Sequence, residues 1–321
     1  MQYLCTMKPL KVVFFGTPEF AKTILKAIND SLHDVVGVVT PPDKASGRGQ
    51  KLSESAVKTY AVEQNLPLFQ PEKLKDPEFL ASMSALGADL FVVVAFRMMP
   101  KVLFELPPLG TFNLHASLLP DYRGAAPINY AIMGGETTTG VTSFFINEKI
   151  DEGAILLQDS LEITSTDSAG SLHDKLMHLG ATTVLKTLDG LSDQTLQPKP
   201  QIQVEQPKNA FKLFKDDMRI NWIQPSKTIY DFIRGLSPYP CAFTSLKIGD
   251  EVKNLKLFEG SYSLEKTDAK PGTLFIDKNE LKFYTLDGVY SPKTLQLEGK
   301  KRMELKDFLN GFRSFTEIEM A

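Results

Sequence analysis

Asp89-Leu90-Phe91-Val92-Val93-Val94-Ala95 is the segment that most restricts the fold of this chain. Its apolar content is unbroken rather than alternating, so both faces of the extended segment must be covered. Such a strand belongs near the centre of a parallel sheet with helices on either side. Residues 10–16, an apolar run ending in glycine, read as another buried strand. A helix is expected next, with Thr17 as N-cap and Pro18 at the first helical position, and Phe20, Ile24, Leu25 and Ile28 keep helical spacing. A second strand at 35–40 completes a β-α-β unit, for which a right-handed crossover is expected. Further along, 57–64, 77–86 and 168–191 read as helices, and 67–69, 111–115 and 140–145 as strands.

The texture changes after a polar, proline-containing stretch at 192–208. Beyond it come one short helix at 229–236 and short strands at 244–248, 255–259, 272–276, 281–284 and 295–297. Short strands separated by turn signals suit a small barrel or sandwich. With 321 residues, two domains are favoured over one. The expected fold is α/β: an open, mostly parallel Rossmann-like sheet followed by a small all-β, OB-like barrel. The expected boundaries are 8–191 for the first domain, 192–211 for a linker and 212–321 for the second.

Composition narrows the functional classes. A 42% hydrophobic and 23% charged content is that of a soluble globular protein. No stretch is apolar for long enough to span a bilayer. The first ten residues lack the apolar core and cleavage site of a signal peptide, and Met7 heads a second plausible start. Cys5 and Cys241 stand far apart without ligand-like neighbours, which argues against a disulfide framework or zinc site and fits a reducing, cytoplasmic setting. Cys241 reads as a small buried residue rather than a reactive thiol. Four scattered histidines argue against a metal cluster, so no metal is expected. Residues 1–206 carry 17 Lys+Arg against 23 Asp+Glu, net −6, whereas 207–321 carry 19 against 16, net +3. A mildly basic second part suits a polyanion, because phosphate contacts draw on local charge, and it equally suits an ordinary solvated surface.

Open parallel sheets bind ligands beyond the carboxyl ends of their strands, so the segments after strands carry the functional argument. Gly16-Thr17-Pro18-Glu19-Phe20 has one glycine, with Pro and Glu where a phosphate needs open amides; a dinucleotide fingerprint is absent. Asn113-Leu114-His115 is more informative. In an extended segment Asn113 and His115 share a side. The amide can donate to a developing oxyanion, and the imidazole can donate too or shuttle a proton. An isolated Asn-x-His is usually structural. The context weighs the other way: Ser117-Leu118-Leu119-Pro120-Asp121-Tyr122-Arg123-Gly124-Ala125-Ala126-Pro127 is a long irregular loop directly after the strand. Downstream, Ile150-Asp151-Glu152-Gly153 sets a carboxylate at a turn, able to orient His115 or accept a proton.

Asn113-Leu114-His115-Ala116-Ser117-Leu118-Leu119-Pro120, Tyr122-Arg123-Gly124-Ala125-Ala126-Pro127 and Asp151-x-Gly153 together resemble the signature of the 10-formyltetrahydrofolate-dependent formyltransferases. The resemblance runs from Val12 to about Glu304. It implies a catalytic trio of Asn113, His115 and Asp151, and folate contacts at Ser117, Leu118, Leu119 and Pro120. It also implies 10-formyltetrahydrofolate as formyl donor and an oxyanion-stabilised transfer without metal or covalent enzyme intermediate. Phe96, Arg97 and Met98 fall on the loop that walls the pterin pocket. There Ala95-Phe96-Arg97-Met98-Met99-Pro100 departs from the frequent Ala-Tyr-Gly. Ser237-Pro238-Tyr239-Pro240-Cys241 replaces the more usual Asn-Pro-Trp-Pro-Gly.

Three features resemble the branch of the family that acts on methionyl-tRNA. Residues 42–52 are similar to its flexible loop, with Arg48 matching a key arginine and Lys44 and Lys51 suited to a phosphate backbone or a splayed terminal base pair. Phe20 matches an aromatic residue near the methionine side chain. Lys212, Lys215 and Arg219-Ile220-Asn221-Trp222 resemble the passage into a tRNA-binding barrel. The plainer readings are a solvated basic loop, helix core packing, solvent-facing lysines and a core tryptophan. On this resemblance the partners are initiator methionyl-tRNA and a reduced folate, and the protein is a monomer. An amino-sugar or other small-amine formyltransferase, a formylfolate hydrolase and a non-catalytic RNA-binding relative remain as alternatives.

Overall fold

The computed structural model describes residues 8–46, 51–311 and 318–321. Two compact units emerge. The first comprises Met1–Gly124, Thr139–Leu161 and His173–Asn209, and the second Ala125–Thr138, Glu162–Leu172 and Ala210–Ala321.

The first unit is built on a seven-stranded sheet. From edge to edge its strands are Ile155–Glu162, Thr138–Phe145, Thr111–His115, Leu90–Val94, Lys11–Gly16, Asp34–Val39 and Leu68–Phe69. The five from Thr111–His115 to Leu68–Phe69 are mutually parallel, and Thr138–Phe145 joins antiparallel. Leu90–Val94 has a parallel neighbour on each side and every side chain buried, as its unbroken apolar run requires. Each such fully buried aliphatic or aromatic side chain contributes about 1.5–3 kcal/mol. Val13, Phe15, Phe91 and Val93 pack with Phe79 and Met83 of the Pro77–Ala85 helix and with Leu103 and Phe104. The alternate residues Val12, Phe14, Leu90, Val92 and Val94 are buried too, so both faces of the sheet are covered. Among the parallel strands, chain order reverses at the pair Lys11–Gly16 and Leu90–Val94, and a crevice beyond their carboxyl ends is the expected ligand position.

Local signals account for the helices. Asp76 caps Pro77–Ala85, its carboxylate accepting from the Glu78 and Phe79 amides at 2.9 and 3.2 Å, with Pro77 in the first turn. The first helix, Glu19–Asn29, begins one residue later than expected: Pro18, not Thr17, is the N-cap, and no side chain caps it. Several elements were not foreseen, two of them between 127 and 162. Ile155–Glu162 has one buried residue, Leu156, and then alternates half-buried and exposed residues at the sheet edge, a weak pattern with polar content. Pro127–Met133 is a helix where the irregular loop was expected to end. Within 42–52 the backbone forms two short antiparallel strands, Lys44–Ser46 and Lys51–Ser53.

The second unit is an antiparallel sheet that curls toward closure. Its path is Leu274–Ile276, Leu281–Tyr284, Gly288–Leu297, Glu251–Leu264, Ala242–Ile248 and Ile318–Met320, and the two edge strands come into contact. The strands are longer than the hydrophobic pattern implies. Glu251–Leu264 runs 14 residues, its end exposed, because ladder bonds to Gly288–Leu297 carry it past its apolar stretch. Register shifts around Glu259 bend it. Trp222 lies in this core, stacked on Phe283 at 4.3 Å, with its indole N–H donating to Thr244 Oγ1 at 3.1 Å.

Candidate active site

His115 ends its strand and is 6% exposed. Its Nε2 lies 2.8 Å from the Tyr122 carbonyl. A carbonyl only accepts, so Nε2 carries the proton. Nδ1 then faces the Asp151 carboxylate, 3.8 Å from Oδ2. That gap is an ion-pair distance and too long for a hydrogen bond. Asp151 Oδ2 accepts instead from the Gly124 amide at 3.0 Å. Asn113, two residues before His115, is partly exposed, and its side-chain amide has no hydrogen-bond partner among the described residues. A donor amide thus lies two residues before the imidazole on one strand at the carboxyl end of the sheet, with the carboxylate 3.8 Å from that imidazole. That combination can stabilise a developing negative oxygen and move a proton.

Asp151 sits at φ +53°, in the left-handed region that aspartate tolerates better than most residues. The turn around it is tightly confined, since a Cβ on Gly153 would stand 1.6 Å from the Phe145 carbonyl oxygen. Tyr122, at φ +60°, reverses the loop so that its carbonyl meets His115 and its amide donates to the Lys208 carbonyl.

Thr142 and Gln158 pin the Ser117–Pro120 stretch. The buried Thr142 hydroxyl donates to the Ser117 carbonyl at 2.7 Å and accepts from the Leu119 amide at 3.1 Å and Gln158 Nε2 at 2.9 Å. Its full hydrogen-bonding capacity is used. Gln158 Nε2 also donates to the Leu119 carbonyl at 2.9 Å. Thr142→Val is therefore expected to destabilise the protein by about 2–4 kcal/mol, because Ser117 and Leu119 keep buried backbone groups without their partner. Urea unfolding checks this, and a loss below about 0.5 kcal/mol would show the loop to be held by other contacts.

The Phe96–Met98 loop offers backbone rather than side chains. The amides of Phe96, Arg97 and Met98 donate no hydrogen bond to described residues, and Met98 is exposed. Those open amides, with the free Asn113 amide, fit a polar heterocycle such as a pterin. Arg97 turns its guanidinium onto the carbonyls of Pro71 and, at 2.9 Å, Glu72, leaving Nε buried without a partner. Burial lowers its pKa from the usual guanidinium value. Phe96 packs edge-on against Phe15 at 5.6 Å.

The remaining sequence candidates are placed as follows. Phe20 is buried in the first helical turn, its ring 5.4 Å from that of His173. Arg48 and the side chains of Lys44 and Lys51 lie outside the described residues. Lys212 and Lys215 belong to the second unit, where Lys212 Nζ stands 5.5 Å over the exposed Phe214 ring. Cys241 is buried at φ +82°, a conformation that favours glycine, and burial pushes its thiol up to about 11, so it is no nucleophile at neutral pH. His33 is neutral and structural: Nδ1 accepts from the Leu10 amide, Nε2 meets Asp189, and burial lowers its pKa despite that carboxylate. Among the described residues no group of three or more His, Cys, Asp or Glu could hold a metal ion, and no helix is long and apolar enough to cross a membrane. Sequence reasoning gave no place to Thr142 and Gln158, which pin the loop, nor to Gln201, whose side chain donates to the Asp151 and Gly153 carbonyls. A polar residue inside a buried strand could have flagged Thr142. Gln201, in the polar stretch after the long helix, carries no local signal.

Known proteins match along nearly the whole chain. A family described as "Formyl transferase" matches residues 10–188, and "Formyl transferase, C-terminal domain" matches 212–313. Methionyl-tRNA formyltransferase of Flavobacterium johnsoniae is 50% identical over 314 residues, covering 98% of this chain and 100% of that protein. The protein of that name from Bacteroides thetaiotaomicron is 48% identical over 309 residues, covering 95% and 96%. Among solved structures, an N-formyltransferase from Helicobacter canadensis, crystallised with folinic acid and dTDP-3-aminofucose, aligns at TM-score 0.63 and 20% identity, covering 88% of this chain and 99% of that one. HypX from Aquifex aeolicus, in complex with tetrahydrofolic acid, aligns at TM-score 0.62 and 17% identity over 98% of this chain and 51% of that one. These structures share its fold. With both family models matched in order and relatives half identical from end to end, this chain belongs to the formyl transferase family.

Proposed function

We infer that this protein transfers a formyl group from 10-formyltetrahydrofolate to the α-amine of methionyl-initiator tRNA, for translation initiation. Support for the chemistry is the meeting of a free Asn113 amide, a His115 imidazole and the Asp151 carboxylate 3.8 Å from it. Support for the acceptor is the common name of the relatives that span the full length. The folate co-substrate supplies the formyl group. Asn113 donates to the formyl oxygen as it becomes an oxyanion, and His115 Nε2–H adds a second donor by exchanging the Tyr122 carbonyl for that oxygen. Asp151 orients the imidazole and takes up the proton released by the attacking amine; when the tetrahedral intermediate collapses, the bond from the formyl carbon to N10 breaks, that proton passes to N10, and tetrahydrofolate leaves. Ser117–Pro120 and the Phe96–Met98 backbone hold the folate. Phe20 lies near the methionine side chain. Lys44, Arg48, Lys51, Lys212 and Lys215 contact the tRNA.

On this reading 8–191 is the catalytic domain, 192–211 a linker and 212–321 a tRNA-binding barrel, and the protein works as a cytoplasmic monomer. Formyl transfer to methionyl initiator tRNA, with methionyl elongator tRNA as control, tests it. The expected outcome is strong preference for the initiator, lost in Arg48→Ala. Transfer to neither, with folate still bound, would overturn the acceptor and turn the search to amino-sugars and other small amines.

A further inference from the structure

We propose that Gln201 is a positioning residue for formyl transfer, acting by clamping the Asp151 turn. Gln201 Nε2 donates to the carbonyls of Asp151 and Gly153 at 2.8 and 2.9 Å. Its Oε1 accepts from Arg123 Nε at 3.2 Å and Nη2 at 2.6 Å. The amide orientation is unambiguous, because the flipped form would set oxygen against two carbonyls and N–H groups against a guanidinium. One side chain thereby ties together the two segments that meet at the Asp151 carboxylate: 151–153, which carries it, and Arg123-Gly124, whose Gly124 amide binds it.

Gln201 is itself anchored. Lys199 pairs antiparallel with Ile155, each amide donating to the other's carbonyl at 2.8 Å. The segment that local sequence marks as a linker therefore runs along the sheet edge, and its first polar side chain after that bridge enters the site. The need for a clamp is local. Asp151 holds a left-handed backbone conformation without being glycine, and its carboxylate does not bond His115 directly. The Gly124 amide on the carboxylate and the Arg123–Glu152 ion pair at 3.6 Å join the same two segments, and Gln201 adds the bonds that hold the turn's own carbonyls.

The role rests on the transfer reading above, and the test separates the two. Gln201→Met keeps the length and removes all four hydrogen bonds; Gln201→Glu keeps the acceptor for Arg123 and sets a carboxylate against two carbonyls. Both are expected to lower kcat about tenfold to a hundredfold, with KM for folate and tRNA within about twofold, the mark of lost transition-state alignment rather than lost binding. Hydrogen exchange at the Gly124 amide, read without substrate, is expected to quicken in both. Wild-type kcat in Gln201→Met, or unchanged Gly124 exchange, would overturn the clamp. If the wild-type enzyme forms no formyl-methionyl-tRNA, the acceptor reading fails, and the Gly124 exchange still decides whether Gln201 holds Asp151.

Discussion

Replacing His115 by alanine is expected to lower kcat by about a hundred- to a thousandfold, and Asn113→Ala by a similar factor, with modest change in KM. One oxyanion donor is typically worth about 3–4 kcal/mol, because it is aimed before the charge develops and needs no reorganisation as the reaction proceeds. The two variants should differ in their other consequences. Asn113 has no partner among the described residues, so its truncation leaves nothing unpaired. His115 is buried and bonded to Tyr122, so its loss also frees that carbonyl and loosens the loop reversal. Steady-state kinetics alongside thermal melting separates these effects: Asn113→Ala should melt like wild type, His115→Ala a few degrees lower. Near-wild-type turnover in either variant would remove that residue from the catalytic role.

Gly153→Ala carries the other large effect. The added methyl would stand 1.6 Å from the Phe145 carbonyl oxygen and 2.8 Å from its carbonyl carbon, both backbone atoms of a central part of the fold. Phe145 cannot yield easily, because its amide donates to the Ala154 carbonyl at 2.9 Å and it pairs with Phe112 as the last residue of its strand. The turn must therefore open, carrying Asp151 away from His115 and breaking the Gln201 contact to the Gly153 carbonyl. Overpacking of this kind costs about 1–3 kcal/mol or more, and a displacement near 1 Å at a catalytic group costs about a hundredfold in rate. A lowered melting temperature together with a collapse of kcat is the expected result. A variant that melts and turns over like wild type would show that the turn does not position Asp151.

Much of the first unit was legible because its signals are local. The apolar run 90–94 announced a central strand, and the one-on, one-off spacing of Asn113 and His115 survives as two side chains at one strand end. The Asp151 turn was legible as a carboxylate that could orient His115, and family resemblance added its catalytic role; the physical reason for its glycine, the Phe145 carbonyl against Gly153, appears in the folded chain. The plainer reading of Trp222 also held, since it lies in the barrel core. The edge strand Ile155–Glu162 and the full lengths of the barrel strands were hidden, because ladder bonds to neighbours rather than apolar periodicity sustain them.

The sequence by itself determined which residues can do chemistry and which strands must be buried, since side-chain type, hydrophobic period and turn-forming glycines are written along the chain. Only the tertiary structure decided how those groups are held. His115 and Asp151 stand 36 positions apart in numbering and 3.8 Å apart in space, and the side chain tying the Asp151 turn in place comes from position 201. The Thr142 hydroxyl and the Gln201 amide are bonded to backbone groups distant in sequence, and such pairing has no local signature. Its cause is the burial of carbonyls and amides that must find partners wherever the packed chain supplies them.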